Sequence, residues 1–157
     1  MKTILAPIDF SNISDAVVEQ AATLARAVDG RVVLLAVIQP PVVMSEYAAM
    51  MDIAEITAAG EKHAARQLDR LQERLGDVAS DTIQTVGSPI AHILDQASKL
   101  RADYIVMGSH GHTAFYDLLV GSTTHGVLMR AKCPVVIVPA VKDKVSQKRA
   151  RPRRAVA

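Results

Sequence analysis

The chain of 157 residues is predicted to fold as a single α/β domain, a doubly wound parallel sheet with helices on both faces. Three observations lead there. Short, largely β-branched apolar runs alternate with stretches of helical periodicity along the whole body. Most of these runs are apolar at successive positions, as strands buried on both sides by covering helices are. Half of the residues are apolar and 22% are charged, a globular balance, and with three Tyr, two Phe and no Trp the core must be aliphatic.

Thr3–Ile8 is the first strand-like run. Val17, Ala21, Leu24, Ala25 and Val28 then fall on one helical face, with Ser11 or Ser14 as N-cap and Gly30 just past the end. Val32–Ile38 is the second run; Pro40-Pro41 ends it, because proline cannot donate to a ladder inside a sheet. The Met- and Ala-rich stretch 42–53 fits either a mobile loop or a helical extension. Ala64, Leu68, Leu71 and Leu75 form the second helical stripe, closed by Gly76. Thr82–Val86 is a weaker, more polar run, as suits an edge strand. Ser88-Pro89 opens a third helix, N-cap followed by proline in the first turn, which carries Ile90, Ile93, Leu94 and Ala97. Tyr104–Met107 is the fourth strand. Gly121-Ser122 starts a short fourth helix carrying Val127 and Leu128, and Val135–Val138 is the last strand. The order β-α-β-α-β-α-β-α-β contains no internal repeat and gives a five-stranded, Rossmann-like sheet joined by right-handed crossovers.

Composition removes several classes of function. A lone cysteine, Cys133, excludes a disulfide scaffold within the chain and a multi-thiolate metal site, and it fits a reducing compartment. It reads as a small buried hydrophobe. Scarce aromatics argue against a base-stacking platform for nucleic acid. No stretch approaches the ~20 apolar residues of a membrane span. The opening Met1–Asp9 is apolar only briefly and lacks a signal-peptide layout, so the expected compartment is the cytoplasm. The net charge of +2 hides an asymmetry: residues 142–157 hold seven of the 18 Lys and Arg residues and one of the 16 acids, leaving 11 bases and 15 acids in residues 1–141. Residues 1–141 are expected to be the domain and 142–157 a disordered basic tail. Such a tail offers contact to nucleic acid or an anionic membrane, though the plainer reading is a solvated extension without a specific partner.

In an open α/β sheet, ligands sit outside the carboxyl ends of the strands at the switch in strand order. That rule reduces the search to three segments: Pro7-Ile8-Asp9-Phe10-Ser11, Met107-Gly108-Ser109-His110-Gly111-His112-Thr113, and Gly121-Ser122-Thr123-Thr124. The spacing is Gly108-x2-Gly111-x9-Gly121-Ser122. Two glycines let backbone approach a ligand closely, and a third followed by hydroxyls at a helix start offers free N–H groups and Oγ atoms to phosphate. Equally, Gly108 and Gly111 can simply make a tight turn at a strand end. Asp9 likewise reads as a ligand residue or as an acid capping the first helix.

The glycine pattern resembles the nucleotide-binding signature of the ATP-binding subgroup of the universal stress protein family. The likeness spans roughly residues 1–140: the opening strand into Pro7-x-Asp9, the Ala-rich first helix, Val37 near the end of the second strand, Gly87-Ser88-Pro89 before the third helix, and Cys133-Pro134 leading into the last strand. The resemblance implies a sheet of order 3-2-1-4-5, with adenosine in the crevice between the first and fourth strands. By position it implies that Pro7, Asp9 and Val37 line the adenine and its neighbourhood, with Met107 as a pocket-wall residue, and that Gly108, Ser109, His110, Gly111, His112 and Thr113 wrap the ribose and phosphates. Gly121, Ser122, Thr123 and Thr124 would hold the outer phosphates together with Mg²⁺ or Mn²⁺. It further implies a homodimer through Val135, Val136, Ile137 and Val138, and a regulatory, stress-response role with an unidentified protein partner. One departure stands out: His112 occupies a position where ATP-binding relatives often have Lys or Arg, so phosphate neutralisation leans on backbone donors, the metal and Arg130. No general base is evident for the γ-phosphate, so any hydrolysis or autophosphorylation should be slow. The alternatives are a partner-binding adaptor of the same fold that ignores nucleotide, and nucleic-acid association through the tail.

Ser109-His110-Gly111-His112 also resembles the Thr/His-x-Gly-His motif of nucleotidylyltransferases, but those enzymes carry it after the first strand and here it follows the fourth. His110, His112 and His125 as a metal cluster is a weak signal that needs folding to supply the geometry. Gly-x-Gly-x-x-Gly, the Walker pattern and Gly-x-Ser-x-Gly are all absent.

Overall fold

Continuous burial along the central strands sets the architecture, since both faces of the sheet are covered. A computed structural model describes residues 1–40, 52–110 and 120–140, and within them five parallel strands form one sheet: β1 (Lys2–Ile8), β2 (Gly30–Ile38), β3 (Ser80–Val86), β4 (Tyr104–Gly108) and β5 (Val135–Val138). Their order is β3-β2-β1-β4-β5. Between them run α1 (Ser14–Val28), α2 (Ile53–Glu73), α3 (Pro89–Lys99) and α4 (Ser122–Leu128). The expected fold class and strand order are both found, and the more polar β3 lies at an edge.

Successive residues of β1 feed opposite faces. Ile4, Ala6 and Ile8 join Val32, Leu34 and Ala36 of β2 in a core covered by Val17, Ala21 and Ala25 of α1 and Ala64, Leu68 and Leu71 of α2. Leu5 joins Val33, Leu35, Ile105 and Met107 in a second core covered by Ile93 of α3 and Val127 of α4. Leu75, the last residue of the second stripe, is fully buried just beyond α2, and Gly76 follows in a left-handed turn at φ 60°.

Several sequence expectations are corrected. Neither Ser11 nor Ser14 caps α1: Ile13 holds the N-cap position, and Ser14, the first helical residue, donates its hydroxyl to Asp9 Oδ1 at 3.4 Å. The left-handed residue that ends α1 is Asp29, at φ 51°. Gly30 instead opens β2, where a Cβ would stand 2.7 Å from Ile4 Cδ1 and 2.9 Å from the Lys2 carbonyl oxygen. Ser88 does hold the N-cap of α3 ahead of Pro89, without a side-chain hydrogen bond. Leu128 faces solvent, whereas Val127 is buried. Of the ambiguous stretch 42–53, Asp52 and Ile53 are resolved as the start of α2, with Asp52 Oδ1 accepting from the Ala54 and Glu55 amides. Residues 42–51 and the basic tail 142–157 lie outside the described residues. Among the described residues no helix is long and apolar enough to cross a membrane.

Polar ties fix the amino ends of the central strands. Asp103, just before β4, accepts from Lys2 Nζ at 2.8 Å and from the Thr3 amide at 2.9 Å, while its own amide donates to the Thr3 carbonyl. The hydrogen bond from Lys2, then the Thr3 amide, hold its carboxyl below the ordinary carboxylate range. Because the folded-state value lies below the unfolded one, this contribution to stability is present above about pH 4 and is lost as pH falls through the folded value. Asp103→Asn should therefore flatten the acid side of the stability profile, read as denaturant midpoint against pH; an unchanged acid slope would show that the tie contributes nothing. Gly30→Ala should destabilise the fold by about 1–3 kcal/mol, measured by urea unfolding, because the added methyl meets backbone as well as Ile4.

Candidate functional site

The strand order reverses between β1 and β4, and a cleft of about 290 Å³ opens at their carboxyl ends. Its floor comes from alternate strand positions on the α3/α4 face: Pro7 of β1, Leu35 and Val37 of β2, and Met107 of β4. Pro89 and Ile93, one turn apart on α3, form one wall, and Ile13 closes the side toward α1. Asp9, Gln39, Gly108, His110 and the run Gly121–Thr124 make the polar rim.

Each rim element has a local cause. Asp9 Oδ1 accepts from the Ser11 amide at 3.0 Å, an Asx turn that stabilises the β1–α1 connection while Phe10 adopts φ 60°. Asp9 thus braces the turn preceding the helix, and the Ser14 hydroxyl at the helix start donates to the same oxygen. Gly108 is required by packing, since a Cβ there would lie 2.9 Å from Ile13 Cγ2 and 3.2 Å from the His110 carbonyl. Its carbonyl accepts from Thr124 Oγ1 at 2.7 Å, which pins α4 to the end of β4. Ser109 is buried behind the cleft wall: its amide donates to Val138, its carbonyl accepts from Gly121, and its hydroxyl accepts from the Ala140 amide and contacts His110 Nδ1.

Gly121 differs from Gly108. At φ −67° and ψ 161° its backbone suits any residue, and a Cβ would make only ordinary contacts, the nearest at 3.4 Å. Among the described residues, neither backbone strain nor packing calls for glycine there. The first α4 hydrogen bond runs from the His125 amide to the Gly121 carbonyl, so the amides of Ser122, Thr123 and Thr124 have no acceptor within the helix. The Ser122 and Thr123 side chains line the same mouth.

The structure thus brings Pro7, Asp9, Val37, Met107, Gly108, His110, Gly121, Ser122, Thr123 and Thr124 to one cleft, with Ser109 behind it. Gly111, His112 and Thr113 lie outside the described residues. Arg130 is elsewhere, beyond the far end of α4, and lines no part of the cleft. The only ionisable side chains among the described lining residues are Asp9 and His110. Among the described residues no three His, Cys, Asp or Glu side chains gather as a metal cluster. Sequence reasoning missed Ile13, Leu35, Gln39, Pro89 and Ile93. The period of two places Leu35 and Gln39 on the same face as Val37, and Pro89 and Ile93 share a helix face, so the signal was present.

Residues 1–139 match the family model described as Universal stress protein family. The chain is 30% identical over 145 residues to universal stress protein MJ0531 of Methanocaldococcus jannaschii, covering 91% of this chain and 85% of that one. The solved structure of the hypothetical protein MJ0577, from the same organism, superposes with a TM-score of 0.78 at 27% identity, covering 90% of this chain and 98% of that one. A universal stress protein solved in complex with cAMP shares the fold, with a TM-score of 0.65 at 22% identity, covering 88% of this chain and 96% of the other. The match along the body, with the strand order and the switch-point cleft, establishes that the chain belongs to the universal stress protein family.

Proposed function

We propose that the chain is an ATP-binding member of the family and acts as a nucleotide-dependent regulatory factor in the stress response. The observation that carries this reading is Gly121 with the α4 first turn: a glycine that packing among the described residues does not need, next to three amides with no acceptor within the helix and two hydroxyls that line a cleft at the switch point. An approaching phosphate needs both the missing Cβ and the donors. The aliphatic floor of Pro7, Val37 and Met107 takes the adenine, and backbone groups of Val37 read the base edge. Gly108 and the following loop through Gly111, His112 and Thr113 wrap the ribose and inner phosphates.

A divalent ion fits this rim. No Lys or Arg lines the described cleft, so a triphosphate there would lean on Mg²⁺ or Mn²⁺ for neutralisation, with the Asp9 carboxylate of the rim as its protein neighbour. When bound, the ion supplies charge compensation to the phosphates. ATP spans the Asp9 turn and the α4 start and favours the state in which both engage it, and that bias is what a protein partner reads. Turnover is slow at most; Asp9 and His110 are the ionisable side chains among the described lining residues. The chain pairs with a second copy along β5, a sheet edge of four residues on which Val136 is exposed.

Acid release from purified protein should yield ATP or ADP, readily seen because three Tyr and no Trp leave little aromatic absorbance. Calorimetric titration should show Mg-ATP binding that weakens in EDTA. Ser122→Ala with Thr123→Ala should weaken it about tenfold at unchanged melting temperature. A protein that purifies empty and ignores added Mg-ATP would be a nucleotide-independent adaptor. Val136→Asp should convert dimer to monomer on gel filtration; Val138 is no substitute for this test, since it is buried within the chain's own core. A variant that still elutes as dimer would place the interface elsewhere.

A further inference from the structure

A second hollow, of about 480 Å³, lies at the opposite end of the sheet. Ala102 precedes β4 and Ala131, Lys132 and Cys133 precede β5, so it opens at the amino ends of the strands, between them and the later part of α3. Its floor is apolar: Leu94, Ala97, Ala102, Ala131 and Cys133 pack onto the second core. Its rim carries Arg101, Arg130 and Lys132, all exposed.

Five described Lys and Arg residues lack a carboxylate partner: Lys62 and Arg66 on α2, and the three gathered at this one rim. Lys2, Arg26, Arg31, Arg70, Arg74 and Lys99 each face a carboxylate. Arg101, Arg130 and Lys132 make no ion pair or side-chain hydrogen bond among the described residues. The one acid lining the hollow, Asp95, is already neutralised by Lys99 at 2.7 Å. Basic residues are favoured at helix C-termini, which accounts for a cation near the end of α3 or α4. It does not account for three unneutralised cations around one apolar depression of ligand size.

We propose that this hollow binds a small amphipathic anion, its carboxylate held at the Arg101–Arg130–Lys132 rim and its hydrocarbon part laid on the alanine-rich floor. The site is separate from the switch-point cleft and does not depend on nucleotide binding. Cys133, the sole cysteine, lines the hollow and makes a built-in reporter. Burial pushes its thiol up, so it is best labelled by a maleimide under mildly alkaline conditions.

The probe is octanoate, titrated into the full chain by calorimetry, with octanol and inorganic phosphate as the separated halves of the ligand. Octanoate should bind saturably at one site; octanol should bind at least about fivefold more weakly, the difference expected for an ion pair held partly in solvent, and phosphate at least about fivefold more weakly because it buries no hydrocarbon. Octanoate should also slow maleimide labelling of Cys133 over the same concentration range. Arg130→Gln with Lys132→Gln should weaken binding about twentyfold at unchanged melting temperature. Arg101→Gly should weaken it about fivefold while keeping or raising the melting temperature, because Arg101 occupies a left-handed position at φ 48° that glycine adopts without strain. No saturable octanoate binding overturns the proposal. So does octanol or phosphate binding as tightly as octanoate, or charge variants that bind unchanged. Binding that leaves the Cys133 labelling rate untouched overturns it as well, since it places octanoate at another site.

Discussion

Everything in this domain is arranged around β1. It is paired along its length with β2, register Lys2↔Gly30 to Ile8↔Ala36, and joined to β4 on its other edge. Ile4, Leu5 and Ala6 are fully buried, two toward one layer of helices and one toward the other. A strand held on four sides has no freedom of register, because a slip of one residue would exchange the two cores. That fixes where β1 stops, and so where Asp9 emerges at the reversal of strand order. Gly30 belongs to the same constraint: the start of β2 must lie against Lys2 and Ile4 closely enough to exclude a Cβ. The Asp103 tie to Lys2 and Thr3 sets the other edge.

From that anchor, the cleft is built by short links that use up polar capacity. The Gly108 carbonyl takes the Thr124 hydroxyl, the Ser109 carbonyl takes the Gly121 amide, and the Ser109 amide and hydroxyl tie to Val138 and Ala140 at the end of β5. These bonds explain why two residues of the signature, Ser109 and Thr124, are buried. Their work is to hold the glycine strand-end against the helix start. Among the described residues, what remains unspent is the set of groups at the mouth, the α4 first-turn amides and the Ser122 and Thr123 side chains. Bracing residues and presenting residues interleave in one run of sequence, so pattern alone cannot separate them.

The parallel strands were legible because burial on both faces leaves an unbroken apolar run, and the edge position of β3 showed in its polarity. Helix starts were less legible. Two serines near α1 suggested a cap, but the N-cap fell on Ile13, because Asp9 and Phe10 make a turn of their own that delays the helix. The start of α2 had a readable signal in Asp52, an acid placed to accept from Ala54 and Glu55. The far wall of the cleft was half legible. Pro89 and Ile93 share a helix face, but nothing local to α3 says that this face meets the signature, which is distant along the chain. Arg130 misled in the opposite way: near α4 in sequence, it sits past the helix end remote from the cleft.

The two ends of the α3/α4 layer differ in charge, and the difference follows from how a parallel sheet is wound. Every crossover helix on this face begins near the carboxyl ends of the strands and ends near their amino ends, so α3 and α4 point their N-termini toward the cleft and their C-termini toward the hollow. At the first end the helices themselves offer donors, and a rim of backbone amides and hydroxyls can attract an anion without a Lys or Arg. At the second end the helix dipoles repel an anion, and side-chain cations must supply the attraction. Arg101, Arg130 and Lys132 stand where that is needed. The two pockets also share a mechanical joint. Gly126 of α4 lies so close to Ile90 of α3 that a Cβ would come within 2.5 Å of Ile90 Cδ1, and the helices meet there between the two openings.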